Sequence, residues 1–199
     1  MLIGLTGMYC AGKNHVAALL EKRGLAVLDV DKLGHTALEN KKAAVCARFG
    51  ADLLNGDGSV NRRLLGERVF KHRNELAALE AIVHPEANRL SLEWIAAREG
   101  QPCVINAALL HKSAVFNRLD ALILVSAPWP VRLIRAKRRD KLPWSALLQR
   151  FANQKQFAAQ YLAGNADIYK VENSGTNRTK LEQRIEVILS GIGFPNKTA

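Results

Sequence analysis

Short apolar runs alternate along this chain with longer stretches in which apolar residues recur every three or four positions, and the two rhythms separate strands from helices. Leu2 to Thr6 is the first run, and Val16, Leu19 and Leu20 continue at helical spacing up to Arg23-Gly24. Leu25 to Val30 is a second run; Asp31 follows it as a possible cap for a helix predicted from about Lys32 to Phe49, ended by Gly50. Strand, helix, strand, helix within fifty residues predicts a parallel sheet joined by right-handed crossovers. Asn55-Gly-Asp-Gly58 is turn chemistry, and Asn61 is placed to cap a helix from Arg62 to Phe70. A helical pattern then runs from Asn74 to Val83, is interrupted at His84-Pro85 and resumes through Ala97, so the segment from 50 to 100 reads as a helical insertion between core strands. Strands return at Cys103 to Ile105 and Ala121 to Val125, helices begin at Pro130 and Pro143, and a last strand is expected over Ile168 to Glu172. A helix from about Arg178 to Leu189 and a polar tail at Pro195 to Ala199 complete the pattern.

The sharpest chemical signal lies between the first strand and the first helix. Gly7, Gly12 and Lys13 stand at the spacing Gly-x-x-x-x-Gly-Lys, in which glycines let backbone N–H groups converge on phosphate oxygens and the lysine adds a positive charge. The helix that follows points its N-terminus at the same anion. Two glycines and a lysine recur by chance; the preceding strand and following helix are what give the spacing meaning. The next position of the motif normally carries a Ser or Thr hydroxyl for Mg²⁺, and here it is Asn14, followed by His15.

Charge narrows the partners. Lysine and arginine outnumber aspartate and glutamate by 29 to 18, an excess of 11 that suits a polyanionic ligand. Much of it is local, since Arg132, Arg135, Lys137, Arg138, Arg139 and Lys141 are opposed in sequence by Asp140 alone. No apolar run approaches the roughly 18 residues of a membrane span, and the first residues lack the features of a secretory signal. Three scattered cysteines, Cys10, Cys46 and Cys103, suggest neither a disulfide framework nor a zinc site, and the expectation is a cytoplasmic α/β protein with no membrane partner. Nucleic acid is not expected as a partner, because the charge gathers in one segment and no recognition motif accompanies it.

Several separated motifs, taken together, resemble those of the dephospho-CoA kinases. Phe49 to Phe70 looks like that family's helical insertion, Val83-His-Pro85 like its His-Pro, Asp29-Val-Asp31 like its Asp-x-Asp. Arg135 to Asp140 looks like its arginine-rich lid, Gln149 to Gln154 like the helix after it, and Asn173-Ser-Gly175 like its closing Asn-x-Gly. The resemblance covers residues 1 to about 190. It implies a three-layer P-loop NTPase fold on a five-stranded parallel sheet, as one domain with a core (about 1–50, 101–130 and 160–199), a helical CoA-substrate insertion (about 51–100) and a lid (about 131–159). It also implies transfer of phosphate from ATP, with Mg²⁺, to the ribose 3′-hydroxyl of dephospho-CoA. One stretch departs: the family's Asp/Glu-x-Pro-Leu-Leu with a following acid is here Asn106-Ala-Ala-Leu-Leu-His-Lys112, without the proline or either acid.

The expected site follows. Cys10, Ala11, Gly12, Lys13, Asn14 and His15 form the ATP phosphate loop, with Lys13 on the β and γ phosphates. Arg135 and Arg139, neighbours at i and i+4, are expected to close over the triphosphate, with Arg139 catalytic, and Asn173 and Gly175 to complete the ATP site. Asp31 reads either as a helix cap or, on the resemblance, as the acceptor's general base; Asp29, two residues earlier on the expected strand, would share its face. His84 is either structural or lines the substrate pocket. No direct protein ligand to the metal is required, and Asn14 and Asp29 are the candidates. Two alternatives stay open: a P-loop kinase for another alcohol or nucleotide, and a degenerate relative that binds nucleotide or CoA without turnover.

Overall fold

The computed structural model of the protein describes residues 1–154, 157, 159–161, 164, 166–175 and 178–194; the polar tail at 195–199 lies outside them. Five strands form one parallel sheet: β1 (Leu2–Gly7), β2 (Ala26–Asp29), β3 (Cys103–Asn106), β4 (Ala121–Ser126) and β5 (Asp167–Glu172), in the order β2-β3-β1-β4-β5. In β1, the central strand, all six residues are buried, which is why it reads as an unbroken apolar run and not as an alternation. Its register sets Leu5 beside Asn106 of β3 and Thr6 beside Leu124 of β4.

Side chains leave alternate faces of β1. Ile3 and Leu5 join one cluster with Val16 and Leu20 of α1 (Lys13–Lys22) and with Ile185 and Leu189 of α8 (Arg178–Gly191). Each fully buried side chain of this size contributes about 1.5 to 3 kcal/mol. On the other face Gly4 leaves no room for a side chain: a Cβ there would come within 2.7 Å of Leu110 and of Leu119. Helices on one face and the 110–119 segment on the other give the three layers.

The chain divides into two compact units. The first holds the sheet and is made of Met1–Leu28 and the chain from Arg98 onward; the second is Asp29–Ala97. The second unit is helical: α2 (Val30–Asn40), α3 (Lys42–Phe49), α4 (Arg62–Val69) and α5 (Arg73–Ala96). Its own core gathers Val45, Phe49, Leu53, Leu65 and Val69. The turn at 55–58 is present, with Gly58 N donating to Asn55 O, and Asn61 caps α4 by accepting from Leu64 N.

Three local expectations are corrected here. The second strand ends at Asp29, because the Asp29 carboxylate accepts from Lys32 N and starts α2 at Val30; Asp31 is therefore in the first helical turn and shares no strand face with Asp29. The single helix expected over 32–49 is two, parted at Lys41. The expected interruption at His84-Pro85 is absent: α5 runs unbroken for 24 residues with Pro85 inside it. Proline there forfeits one backbone bond, and the packing of Leu76, Leu79, Ile82 and Val83 on the unit's core carries the helix through.

Glu86, directly after that proline, ties the second unit together. Its buried carboxylate receives Arg89 Nη2 and Asn40 Nδ2, each at 2.7 Å, and lies 3.8 Å from Lys41 Nζ. The Arg89 hydrogen bonds first, and then that from Asn40, hold its pKa down at about 2, against an ordinary 4.5. A depressed carboxyl pKa contributes stability above the unfolded value that is lost as pH falls through the folded one. The melting temperature of the parent is therefore expected to exceed that of Glu86→Gln at pH 6, with the gap closing between about pH 4.5 and 2. A gap unchanged over that range would show that the charge of Glu86 contributes nothing.

Among the described residues no helix is long and apolar enough to cross a membrane.

Candidate active site

The loop after β1 is built by backbone geometry. Met8 N donates to Val125 O at 3.0 Å and Ala11 N to Met8 O at 2.9 Å, while Cys10 and Gly12 take left-handed φ values of 59° and 91°. A side chain at Gly12 would also fall on Asn173 Nδ2, so glycine is required there twice over. Gly12 caps α1 without offering a side-chain oxygen, so no protein cap competes with an anion for the first turn. Lys13 and Asn14 are the first two residues of that helix, Lys13 half-buried and Asn14 exposed.

Two distant segments close on this loop. Asn173 Nδ2 donates to Ala11 O at 2.9 Å, and Arg135 Nη1 donates to the same oxygen at 3.2 Å and to Cys10 O at 3.4 Å. Arg135 Nη2 reaches Asn173 Oδ1 at 3.5 Å, and a side chain at Gly175 would collide with that nitrogen. Arg135, Asn173, Gly175 and residues 10–12 thus form one cluster.

Above it lie α6 (Trp129–Asp140) and α7 (Trp144–Ala152), the basic segment noted in the sequence. Ala136, Leu147 and Phe151 pack with Tyr9 and Cys10 of the loop. Arg139 is exposed and pairs with Asp140 through Nε at 2.7 Å, its guanidinium 5.1 Å above the Tyr9 ring. The Tyr9 hydroxyl donates to Asp140, which also receives Arg150 Nη1 at 3.0 Å. Arg139 holds the Asp140 carboxyl below its usual range, and burial followed by the bond to Asp140 pushes the Tyr9 phenol up. Burial likewise raises the Cys10 thiol, so it stays protonated at neutral pH and is no nucleophile. Arg138 is exposed, and Lys137 donates to Leu142 O at 2.9 Å; Trp129 and Trp144 are half-exposed on these helices.

At the exit of β3, Asn106 is buried and its Nδ2 donates to Asn14 Oδ1 at 3.3 Å. The other end of that amide, Oδ1, accepts no hydrogen bond from any described residue. Nearby, Thr6 Oγ1 is 3.1 Å from the Tyr161 hydroxyl, which is 3.4 Å from His111 Nδ1. Burial, then Lys112, keeps the His111 imidazole below its usual pKa.

Mg²⁺ takes hard oxygen ligands in near-octahedral geometry. Among the described residues no group of three or more His, Cys, Asp or Glu is placed to hold a metal ion. Asn14 Oδ1 is engaged by Asn106, and the open Asn106 Oδ1 is a neutral acceptor suited to the water of a hydrated ion. The set fits an ion that arrives on a nucleotide, not one resident on the protein.

The remaining expected residues belong to the helical unit. Asp29 is the cap of α2, Asp31 lies in that helix's first turn, and His84 is exposed on α5. Tyr9, Gln154, whose Oε1 accepts from Tyr9 N at 2.7 Å, and Asp140 as the partner of Arg139 were not singled out from sequence as site residues. Nothing in periodicity marks them, because Tyr9 meets Gln154 and Asp140 only across a long separation in the chain.

A parallel α/β sheet whose first strand feeds Gly-x-x-x-x-Gly-Lys into a helix, under a basic helical cover, defines a P-loop kinase. The sequence model of the dephospho-CoA kinases matches residues 1–179. The chain belongs to the dephospho-CoA kinase family, ATP-dependent kinases of coenzyme A biosynthesis. It is 34% identical to the dephospho-CoA kinase of Treponema pallidum (strain Nichols), covering 96% of this chain and 95% of that protein. With that of Anaeromyxobacter dehalogenans (strain 2CP-C) it shares 38% identity over 87% of this chain and 84% of the other. A crystal structure from Thermus thermophilus superimposes with a TM-score of 0.79 at 32% identity, covering 96% of this chain and 97% of that one.

Proposed function

We propose that the chain transfers the γ-phosphoryl group of ATP to the ribose 3′-hydroxyl of dephospho-CoA, with binding and positioning by its own residues supplying most of the catalysis. The observation that carries the ATP half is the cluster in which Arg135 and Asn173 clasp the carbonyls of Cys10 and Ala11. That clasp holds the loop carbonyls on cationic and amide donors, and so leaves the N-terminus of α1 to face the phosphates. Lys13 bears on the β and γ phosphates, and Arg139 adds its charge when it leaves Asp140 for the transferring group. Mg²⁺, carried by ATP, supplies further neutralisation of phosphate charge.

The helical unit Asp29–Ala97 is assigned to the acceptor, beginning earlier than the 51–100 insertion expected from sequence, and α6–α7 to the lid. An open cleft of about 820 Å³ in that unit is lined by His35, Glu39, Asn55, Asn61, Arg62 and Arg63, of which Arg62 and Arg63 offer positive charge to an anionic acceptor. Asp31 takes the proton of the attacking hydroxyl. Support comes from the cap of α2, which is made by Asp29 and leaves Asp31 outside that structural role. The three free cysteines suit a reducing, cytoplasmic setting.

The test is an ADP-release assay with ATP and Mg²⁺ in which dephospho-CoA, adenosine and nucleoside monophosphates compete as acceptors. Dephospho-CoA is expected to give the highest kcat/KM, with the new phosphate on the 3′-oxygen. A nucleoside monophosphate that does as well would reassign the acceptor, and ADP release with none of them would support a binding protein without turnover.

A further inference from the structure

Asn14 and Asn106 stand 92 residues apart in the chain and meet through one hydrogen bond at the phosphate loop. We infer that this neutral amide pair makes the loop's hold on ATP largely independent of a divalent cation, so that metal-free ATP binds nearly as tightly as its magnesium complex. The inference rests on the reading of the loop as the ATP site.

The argument is one of charge. Lys13 on the loop and Arg132 and Arg135 on α6 place cations beside the loop, and Arg135 is in direct contact with loop carbonyls. Asp140, the carboxylate bonded to loop residue Tyr9, is already neutralised by Arg139 and Arg150. Asn106 is buried, 2% exposed, and touches the residue next to Lys13, so an ionised side chain there would act on the phosphates with little solvent screening. An amide at that position exerts no such repulsion. A cation strengthens nucleotide binding most where it bridges phosphates to a protein carboxylate. Here Asn14 Oδ1, which already accepts from Asn106, and the open Asn106 Oδ1 can each hold a metal-bound water only as a neutral acceptor, which is weaker than a charged one. Both halves of the cation's usual binding advantage are small at these two positions.

Calorimetric titration of the full chain at constant ionic strength, with ATP in EDTA and with ATP in excess Mg²⁺, tests this. The two dissociation constants are expected to agree within about fivefold. Asn106→Asp is expected to weaken metal-free ATP by about tenfold or more while changing the magnesium complex much less, since the new charge acts at short range in partly buried surroundings. Asn106→Leu, neutral and of similar size, is expected to keep the parent's ratio although the hydrogen bond to Asn14 is gone. Should Asn106→Asp not fold, Asn14→Asp places the same charge on the less buried partner and is expected to move the ratio the same way. A parent ratio well above fivefold, or a ratio shifted as much by Asn106→Leu as by the aspartate, overturns the inference and leaves the kinase reading standing. Binding of neither form overturns the ATP-site reading, and the inference falls with it.

Discussion

Asp31→Asn is expected to lower kcat by about 10² to 10⁴ while leaving the dissociation constant for ATP within a few fold, the range typical of losing a general base. The amide keeps the size and hydrogen-bonding reach of the carboxylate but cannot accept the proton of the attacking hydroxyl. What makes the variant informative is the division of labour at the start of α2. Asp29 accepts from Lys32 N and caps the helix, whereas Asp31 sits within the first turn. Its charge there contributes the interaction of an acid with the helix N-terminus, about 0.3 to 1 kcal/mol. The melting temperature should therefore move little, and Asp29→Asn should behave in the opposite sense, costing stability before activity. Activity within tenfold of the parent, or a collapse in melting temperature, would make Asp31 a structural residue.

Arg139→Ala is expected to lower kcat by about 10² to 10³, the cost of removing one charge contact that strengthens in the transition state. ATP affinity should fall far less, because Arg139 in this structure is engaged with Asp140 and the Tyr9 ring, not with the loop backbone. For the arginine to act it must exchange that carboxylate for phosphate oxygens. The exchange leaves no orphaned carboxylate: Asp140 keeps the Tyr9 hydroxyl and Arg150 as partners when Arg139 departs. Arg135→Ala should show the contrasting pattern of weakened ATP binding, because Arg135 donates to Cys10 O and Ala11 O and so shapes the loop itself. Single-turnover rates at saturating ATP separate the two, and an Arg139→Ala enzyme with unchanged kcat would leave the arginine row a solvated surface.

The elements were legible in the sequence wherever local chemistry decides them. The buried β1 reads as an apolar run, Gly12 and Gly50 mark left-handed or open backbone, and Asn61 caps the helix it was expected to cap. The phosphate loop was legible for the same reason, since its function depends on backbone freedom at fixed spacing. Pro85 shows the limit: local rules end a helix there, but burial of one face of α5 outweighs one missing backbone bond, and burial is not a local quantity.

Sequence alone established the nucleotide loop, the basic segment, the helical insertion and the resemblance to dephospho-CoA kinases. Only the tertiary structure decided which side chains meet. It gave the α2 cap to Asp29 and moved Asp31 onto a helix, placed Arg135 and Asn173 on the same loop carbonyl, parked Arg139 on Asp140, and joined Asn14 to Asn106. The physical reason is that capping and turn preferences act over a few residues, whereas the meetings of Arg135 and Asn173 with the loop and of Asn14 with Asn106 are set by the sheet order β2-β3-β1-β4-β5, which brings the ends of strands distant in sequence to one place.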